Sequence, residues 1–132
     1  MLRSKKKLSV LEWELMEFVW QHNKAISVRE VLDLAYPNGE KAYTTIQTVM
    51  NKLVEKGFAQ KEKIGLVNFY SPVKARTESL TQEISGFLNR TFGGSVNALV
   101  NFMLEGDTLS PTELAELKKL IQEKEKQRGK ND

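Results

Sequence analysis

At 132 residues, with 40% hydrophobic and 28% charged side chains, the chain suits one folded domain or a small domain with an appendage. It has no cysteine and a single histidine, His22, which removes disulfides, thiolate metal sites, cysteine nucleophiles and histidine-based triads; no cofactor or metal is expected. The net charge of +3 lies wholly in residues 1–73, with 11 Lys/Arg against 8 Asp/Glu, while residues 74–132 hold 9 of each. Local positive charge drives phosphate binding by releasing counterions, so this half is the candidate nucleic-acid face, against the plainer reading of scatter in a mixed surface.

The start of the chain, Met1-Leu2-Arg3-Ser4 followed by Lys5-Lys6-Lys7, lacks the apolar stretch of a signal peptide. No apolar run reaches bilayer length either, so the expectation is a cytoplasmic binding protein without membrane insertion. The lysine run is read equally as a basic arm toward DNA or as a solvated terminus. The first helix begins at Ser9, where Ser9 and Glu12 have capping-box spacing and Leu8 and Trp13 form the hydrophobic staple. Leu11, Leu15, Phe18 and Val19 continue at helical spacing toward Gln21-His22-Asn23. Trp13 and Trp20 are read as core. Ala25-Ile26 is a short extended piece. Ser27 and Glu30 repeat the cap, and the second helix buries Val28, Val31, Leu32 and Ala35 before Tyr36-Pro37-Asn38-Gly39 ends it.

A third helix is predicted from about Thr44 to Lys56, closed by Gly57. Ile46, Val49, Met50 and Leu53 form its inner face, and Thr45, Gln47, Thr48, Asn51 and Lys52 its outer one. Residues 58 to 73 switch to alternation around Ile64-Gly65-Leu66, which predicts a β-hairpin with Lys61 and Lys63 near its tip and Pro72 at its end. Beyond it, Leu80, Ile84, Phe87 and Leu88 make one helical stripe up to Gly93-Gly94. That pair could cradle phosphate, but no nucleotide-motif spacing surrounds it, and a helix break is the expectation. Val96, Leu99, Val100 and Met103 make a second stripe. Leu109-Ser110-Pro111-Thr112-Glu113-Leu114 opens a third with cap, proline and staple, continued by Leu117, Leu120 and Ile121. The charged tail from Glu123 is expected to fray.

Three helices and a hairpin predict a winged helix-turn-helix: a mainly α fold with a small β-hairpin wing, over residues 1–73. Residues 74–132 then form a helical dimerisation domain. In such readers the third helix enters the major groove, where short hydroxyl, amide and methyl side chains suit base edges. Thr44, Thr45, Gln47, Thr48 and Asn51 are of that kind, and Gln47 or Asn51 could bracket an adenine. Gln47 could equally close a capping box on Thr44. Lys52, Lys56, Lys61 and Lys63 are candidate phosphate contacts or plain solvated surface. The expected partner is double-stranded operator DNA. The C-terminal stripes are too few residues to bury themselves alone without disulfides. Leu80, Ile84, Phe87, Leu99, Val100, Met103, Leu114, Leu117 and Ile121 are therefore expected to bury against a second chain in a homodimer. A layer folded back on its own winged helix is the other solution.

These residues carry a resemblance. The chain resembles the penicillinase-repressor family of the BlaI/MecI/CopY type from about residue 8 to 121. The resemblance runs through Glu12-Trp13-Glu14-Leu15-Met16, Ser27-Val28-Arg29-Glu30-Val31, Tyr43-Thr44-Thr45-Ile46-Gln47-Thr48-Val49-Met50-Asn51-Lys52-Leu53, Phe69-Tyr70-Ser71-Pro72 and Phe92-Gly93-Gly94-Ser95. It implies a dimeric repressor of inverted-repeat operators, commonly with ACA and TGT half-sites. It also implies inactivation by proteolysis, triggered by a membrane sensor-transducer protease in the β-lactam-responsive members. By similarity the cut bond is Asn101–Phe102. Family members often carry Arg where this chain has Gln47 and Lys52, which bears on the base read. The copper-responsive branch has a cysteine cluster that this chain lacks. The competing class is a winged-helix protein-interaction module without its own operator, whose third helix would show an apolar or acidic face. An enzyme is not expected, since no paired carboxylates, nucleophile-base set or metal cluster presents itself.

Overall fold

Three serines, each followed three residues later by glutamate, start three of the helices, because each pair satisfies two backbone donors that a helix N-terminus leaves bare. The computed structural model describes residues 7–131, so Lys5 and Lys6 of the basic run lie outside the described residues. Ser9 N–H donates to Glu12 Oε1 at 2.8 Å and Glu12 N–H to Ser9 Oγ at 3.2 Å, opening α1 (Val10–Gln21). Ser27 and Glu30 do the same at 2.9 and 3.1 Å for α2 (Val28–Ala35). Ser110 and Glu113 do so at 2.9 and 3.1 Å for α6 (Pro111–Asn131).

Between α1 and α2 lies β1 (Ile26–Ser27), and α3 (Tyr43–Glu55) follows α2. The end of α3 is a Schellman motif, with Phe58 N–H bonded to Leu53 O and Gly57 N–H to Val54 O, each at 3.0 Å. It requires a left-handed residue at Gly57, whose φ is +83°. Strands β2 (Ala59–Ile64) and β3 (Val67–Pro72) form the hairpin, in register from Ala59↔Pro72 to Ile64↔Val67. Gly65, at φ +67°, takes the first position of the two-residue turn. The short piece at Ile26 is more than the isolated extended segment expected. Ile26 pairs with Tyr70 and Ser27 with Phe69, giving a three-stranded antiparallel sheet of order β1-β3-β2.

Leu15, Met16, Val19, Ile26, Val31, Ile46, Met50, Leu53 and Tyr70 are each at most 1% exposed and form one core. Each such side chain contributes on the order of 1.5–3 kcal/mol through removal from water. Ala35 is only half-buried, as are Trp13 and Trp20, which meet edge to face at 5.6 Å on the core's margin.

The chain divides into two units, Met1–Glu83 and Ile84–Asp132. The division falls ten residues beyond the expected boundary at 73/74, because the first turns of α4 (Arg76–Thr91) belong to the first unit. Arg76 makes a two-pronged bond to Glu17 at 2.8 and 2.9 Å, and Trp20 Nε1–H donates to Lys74 O at 2.9 Å. Ser79 is buried and Leu80 half-buried there.

In the second unit, Phe92 N–H and Gly94 N–H both donate to Leu88 O, so Gly93-Gly94 stops α4. Ser95 then caps α5 (Val96–Glu105) through Ala98 N–H at 3.0 Å. Phe92 packs against Phe87 at 6.2 Å and Phe102 at 5.9 Å. Contrary to the expected fraying from Glu123, α6 stays helical to Asn131. Its Glu, Lys, Gln and Arg residues are strong helix formers. No described residue of α5 or α6 is buried: Leu99, Met103 and Leu117 are half-buried, and Val100, Leu114 and Ile121 exposed. Ile84 and Phe87 of α4 are exposed as well. Among the described residues, no helix is long and apolar enough to cross a membrane.

Candidate nucleic-acid interface

Helix α3 is amphipathic, and its two faces have different tasks. Ile46, Met50 and Leu53 are fully buried, which fixes the helix and turns Thr44, Thr45, Gln47, Thr48 and Lys52 outward, all exposed. That outer row holds hydroxyls, methyls, one amide and one ammonium, and no acid before Glu55. Thr48 Oγ1 donates back to Thr44 O at 2.9 Å, leaving its methyl group and its acceptor lone pairs available. An open groove runs beside the row, lined by Ser9, Leu11 and Glu12 together with Thr44, Thr45, Thr48, Val49 and Lys52.

The capping alternative for Gln47 does not form. The N-cap is Ala42, without a side-chain bond, and Thr44 already lies inside the helix. Ala42 O instead accepts from Thr45 N–H at 3.1 Å and Ile46 N–H at 3.2 Å.

Of the lysines, Lys61 and Lys63 are exposed on β2 and, being two residues apart, on one side of the wing. Lys61 Nζ donates to Asn51 Oδ1 at 3.0 Å, so that side is the one toward α3. The same Asn51 oxygen accepts from the Tyr70 hydroxyl at 2.9 Å. Burial pushes the Tyr70 hydroxyl above its ordinary range, with the nearby Tyr43 adding to the effect, so it remains a donor. Lys56 departs from the expected phosphate contact. Its ammonium donates inward to Glu12 Oε1 at 2.6 Å and to Lys7 O at 2.9 Å, because α3 packs on the start of α1. Burial raises the Glu12 carboxyl, but the Lys56 and Ser9 bonds outweigh it and hold the group below its usual value.

One cation escaped the patterning of the sequence. Arg29 of α2 stacks its guanidinium over the Tyr43 ring at 5.1 Å, beside the N-terminus of α3. Nothing in its local spacing marks it, since the contact joins two helices. Among the described residues, no group of His, Asp or Glu is arranged to hold a metal ion.

A three-helix unit closed by a three-stranded sheet, with a polar third helix beside a basic hairpin, defines a winged helix-turn-helix protein, here followed by a helical unit. The chain belongs to the penicillinase repressor family, whose sequence model matches residues 8–123. This is a family of repressors and not of enzymes. The penicillinase repressor of Bacillus licheniformis is 32% identical over 116 residues, covering 88% of this chain and 90% of that one. The methicillin resistance regulatory protein MecI of Staphylococcus aureus is 26% identical over 117 residues, covering 89% and 94%. Among solved structures, monomeric BlaI of Bacillus licheniformis in complex with the blaP half-operator is 30% identical, with a TM-score of 0.45, covering 54% of this chain and 85% of that one.

Proposed function

We propose that the chain is a sequence-specific repressor that binds double-stranded operator DNA as a homodimer and is inactivated by signal-dependent proteolysis. The observation that carries the DNA reading is the outer face of α3, polar and without an acid before Glu55, set beside the wing lysines. Thr44, Thr45, Gln47 and Thr48 would meet base edges, with Gln47 the candidate to bracket an adenine through N6 and N7. Lys52, Lys61 and Lys63 would hold phosphates, which set register without reading sequence. Arg29 joins that second group in this reading.

The dimer reading rests on the second unit. Val100 and Leu104 of α5 and Leu114, Leu117 and Ile121 of α6 line one apolar groove, yet none is buried. Residues Leu80, Ile84, Phe87, Leu99 and Met103 extend the apolar set along the chain. A unit of this size gains stability from burying such a face, and a second copy with the same face would do so. Two reading helices related by a two-fold axis then require an inverted-repeat operator.

The resemblance implies cleavage between Asn101 and Phe102, both exposed in the middle of α5. A protease needs an extended substrate, so α5 must open locally between its Ser95 and Gly106 ends before the cut. The cut would split α5, leaving Val100 on one fragment and Leu104 with α6 on the other, and would so dissolve the apolar groove and with it the dimer. The protease would be a membrane sensor-transducer acting on the repressor.

Selection of bound duplexes from a random pool, at physiological salt, tests the function. Enrichment of an inverted repeat carrying two chains is the expected result. Absence of enrichment, together with DNA affinity indifferent to salt, would overturn it.

A further inference from the structure

We propose that Asn51 is a positioning residue, whose side-chain oxygen, held between the Tyr70 hydroxyl and the Lys61 ammonium, locks the wing lysine to the recognition helix instead of reading a base. The proposal rests on the DNA-binding reading above and assigns a role within that same surface.

A bidentate contact to adenine needs the whole amide: the oxygen accepts from N6 while the NH2 donates to N7. An amide oxygen has two lone pairs, and in Asn51 both have donors, Tyr70 OH at 2.9 Å and Lys61 Nζ at 3.0 Å. The buried donor, the Tyr70 hydroxyl, is not easily released. Tyr70 is 1% exposed, and a hydroxyl so buried is destabilising without a partner. The residue that carries it is held in place, because β3 is the middle strand and Tyr70 pairs with Ile26 on one side and Lys61 on the other. Lys61 and Tyr70 are directly opposed in the hairpin, so one oxygen on α3 gathers both members of a cross-strand pair.

One side-chain oxygen of the recognition helix therefore ties down a residue of each wing strand. Lys61 has less side-chain freedom to lose when it meets a phosphate, which favours binding without adding a contact. Lys63, two residues further along β2, has no such anchor among the described residues.

The test uses the full chain, a duplex selected from the random pool, and a random-sequence duplex of equal length, titrated across salt. Asn51→Ala and Lys61→Met should each weaken both duplexes several-fold, and Lys61→Met, which removes a charge, should also lower the salt slope by about one. The double variant should be no weaker than Lys61→Met, and the base preference should be unchanged. Losses that multiply in the double variant overturn the proposal, as does loss of preference at one operator position with random-duplex affinity kept. Asn51→Asp covers the case in which Asn51→Ala fails to fold, since it keeps an acceptor for Tyr70 and Lys61 but lacks the NH2. Its base preference should match the unaltered chain; a preference lost at one position marks a base reader. An unaltered chain that enriches no site and binds without salt dependence overturns the DNA reading and this proposal together.

Discussion

Lys56, the C-cap of α3, and Glu12 on α1 meet at 2.6 Å, joining the end of the recognition helix to the capping box that starts the first helix. Glu12 is 4% exposed, and its carboxylate serves Ser9 N–H as well as Lys56. Its folded-state pKa lies below the ordinary 4.5, despite burial that acts the other way. Glu17 is lowered too, chiefly by its bond from Arg76. A depressed carboxylate stabilises the fold above its unfolded pKa, and that contribution is lost as pH falls through the folded value. Urea unfolding should therefore show stability falling from about pH 4.5 downward. Glu12→Gln, which keeps a capping acceptor but removes the charge, should lose about 1–3 kcal/mol at pH 7 and flatten that acid slope. An acid slope as steep as before would show that Glu12 is not among its causes.

Gln47 and Lys63 should fail differently. Gln47→Ala should weaken operator binding by about 1–3 kcal/mol and relax the preference at one position. Lys63→Ala should weaken operator and random DNA alike and lower the salt slope by about one. Competition titrations on both duplexes separate the two, and equal losses for Gln47→Ala would remove its reading role.

Leu117 lies in the apolar groove between α5 and α6. Leu117→Glu should give monomers in sedimentation equilibrium, with half-site binding kept and cooperative binding to the full inverted repeat lost. A variant that still sediments as a dimer would place the subunit contact elsewhere.

Gly57 offers a clean backbone measurement. A Cβ there meets nothing within 4 Å, so the left-handed φ is the whole obstacle. Gly57→Ala should lower stability by about 1 kcal/mol with an unchanged denaturant m-value. A neutral result would mean that α3 can end without its Schellman motif.

Much of the local structure was legible in the sequence because its signals are short-range. Ser9, Ser27 and Ser110 each announce a helix by a glutamate three residues on, and all three boxes form. The inner row of α3 follows directly from helical spacing. The candidate site was less legible. The pattern separates inner from outer residues on α3, but it treats Gln47 and Asn51 as equivalent amides and Lys56 and Lys63 as equivalent cations. The structure distinguishes them: Gln47 is exposed and Asn51 Oδ1 holds two donors, while Lys56 turns inward to Glu12 and Lys63 stays at the surface.

Caps, turns and amphipathic faces were determined by the sequence alone, since each depends on groups a few residues apart whose geometry the backbone period sets. The pairing of β1 with β3, the Arg29–Tyr43 stack, the Glu12–Lys56 pair and the Tyr70–Asn51–Lys61 node were decided only by the tertiary structure. Glu12 and Lys56 are 44 positions apart, and Tyr70 and Asn51 19 apart. Such partners are chosen by how helices and strands pack, so a polar side chain's hydrogen bonds, and with them its freedom to meet DNA, follow from the fold and not from its neighbours along the chain.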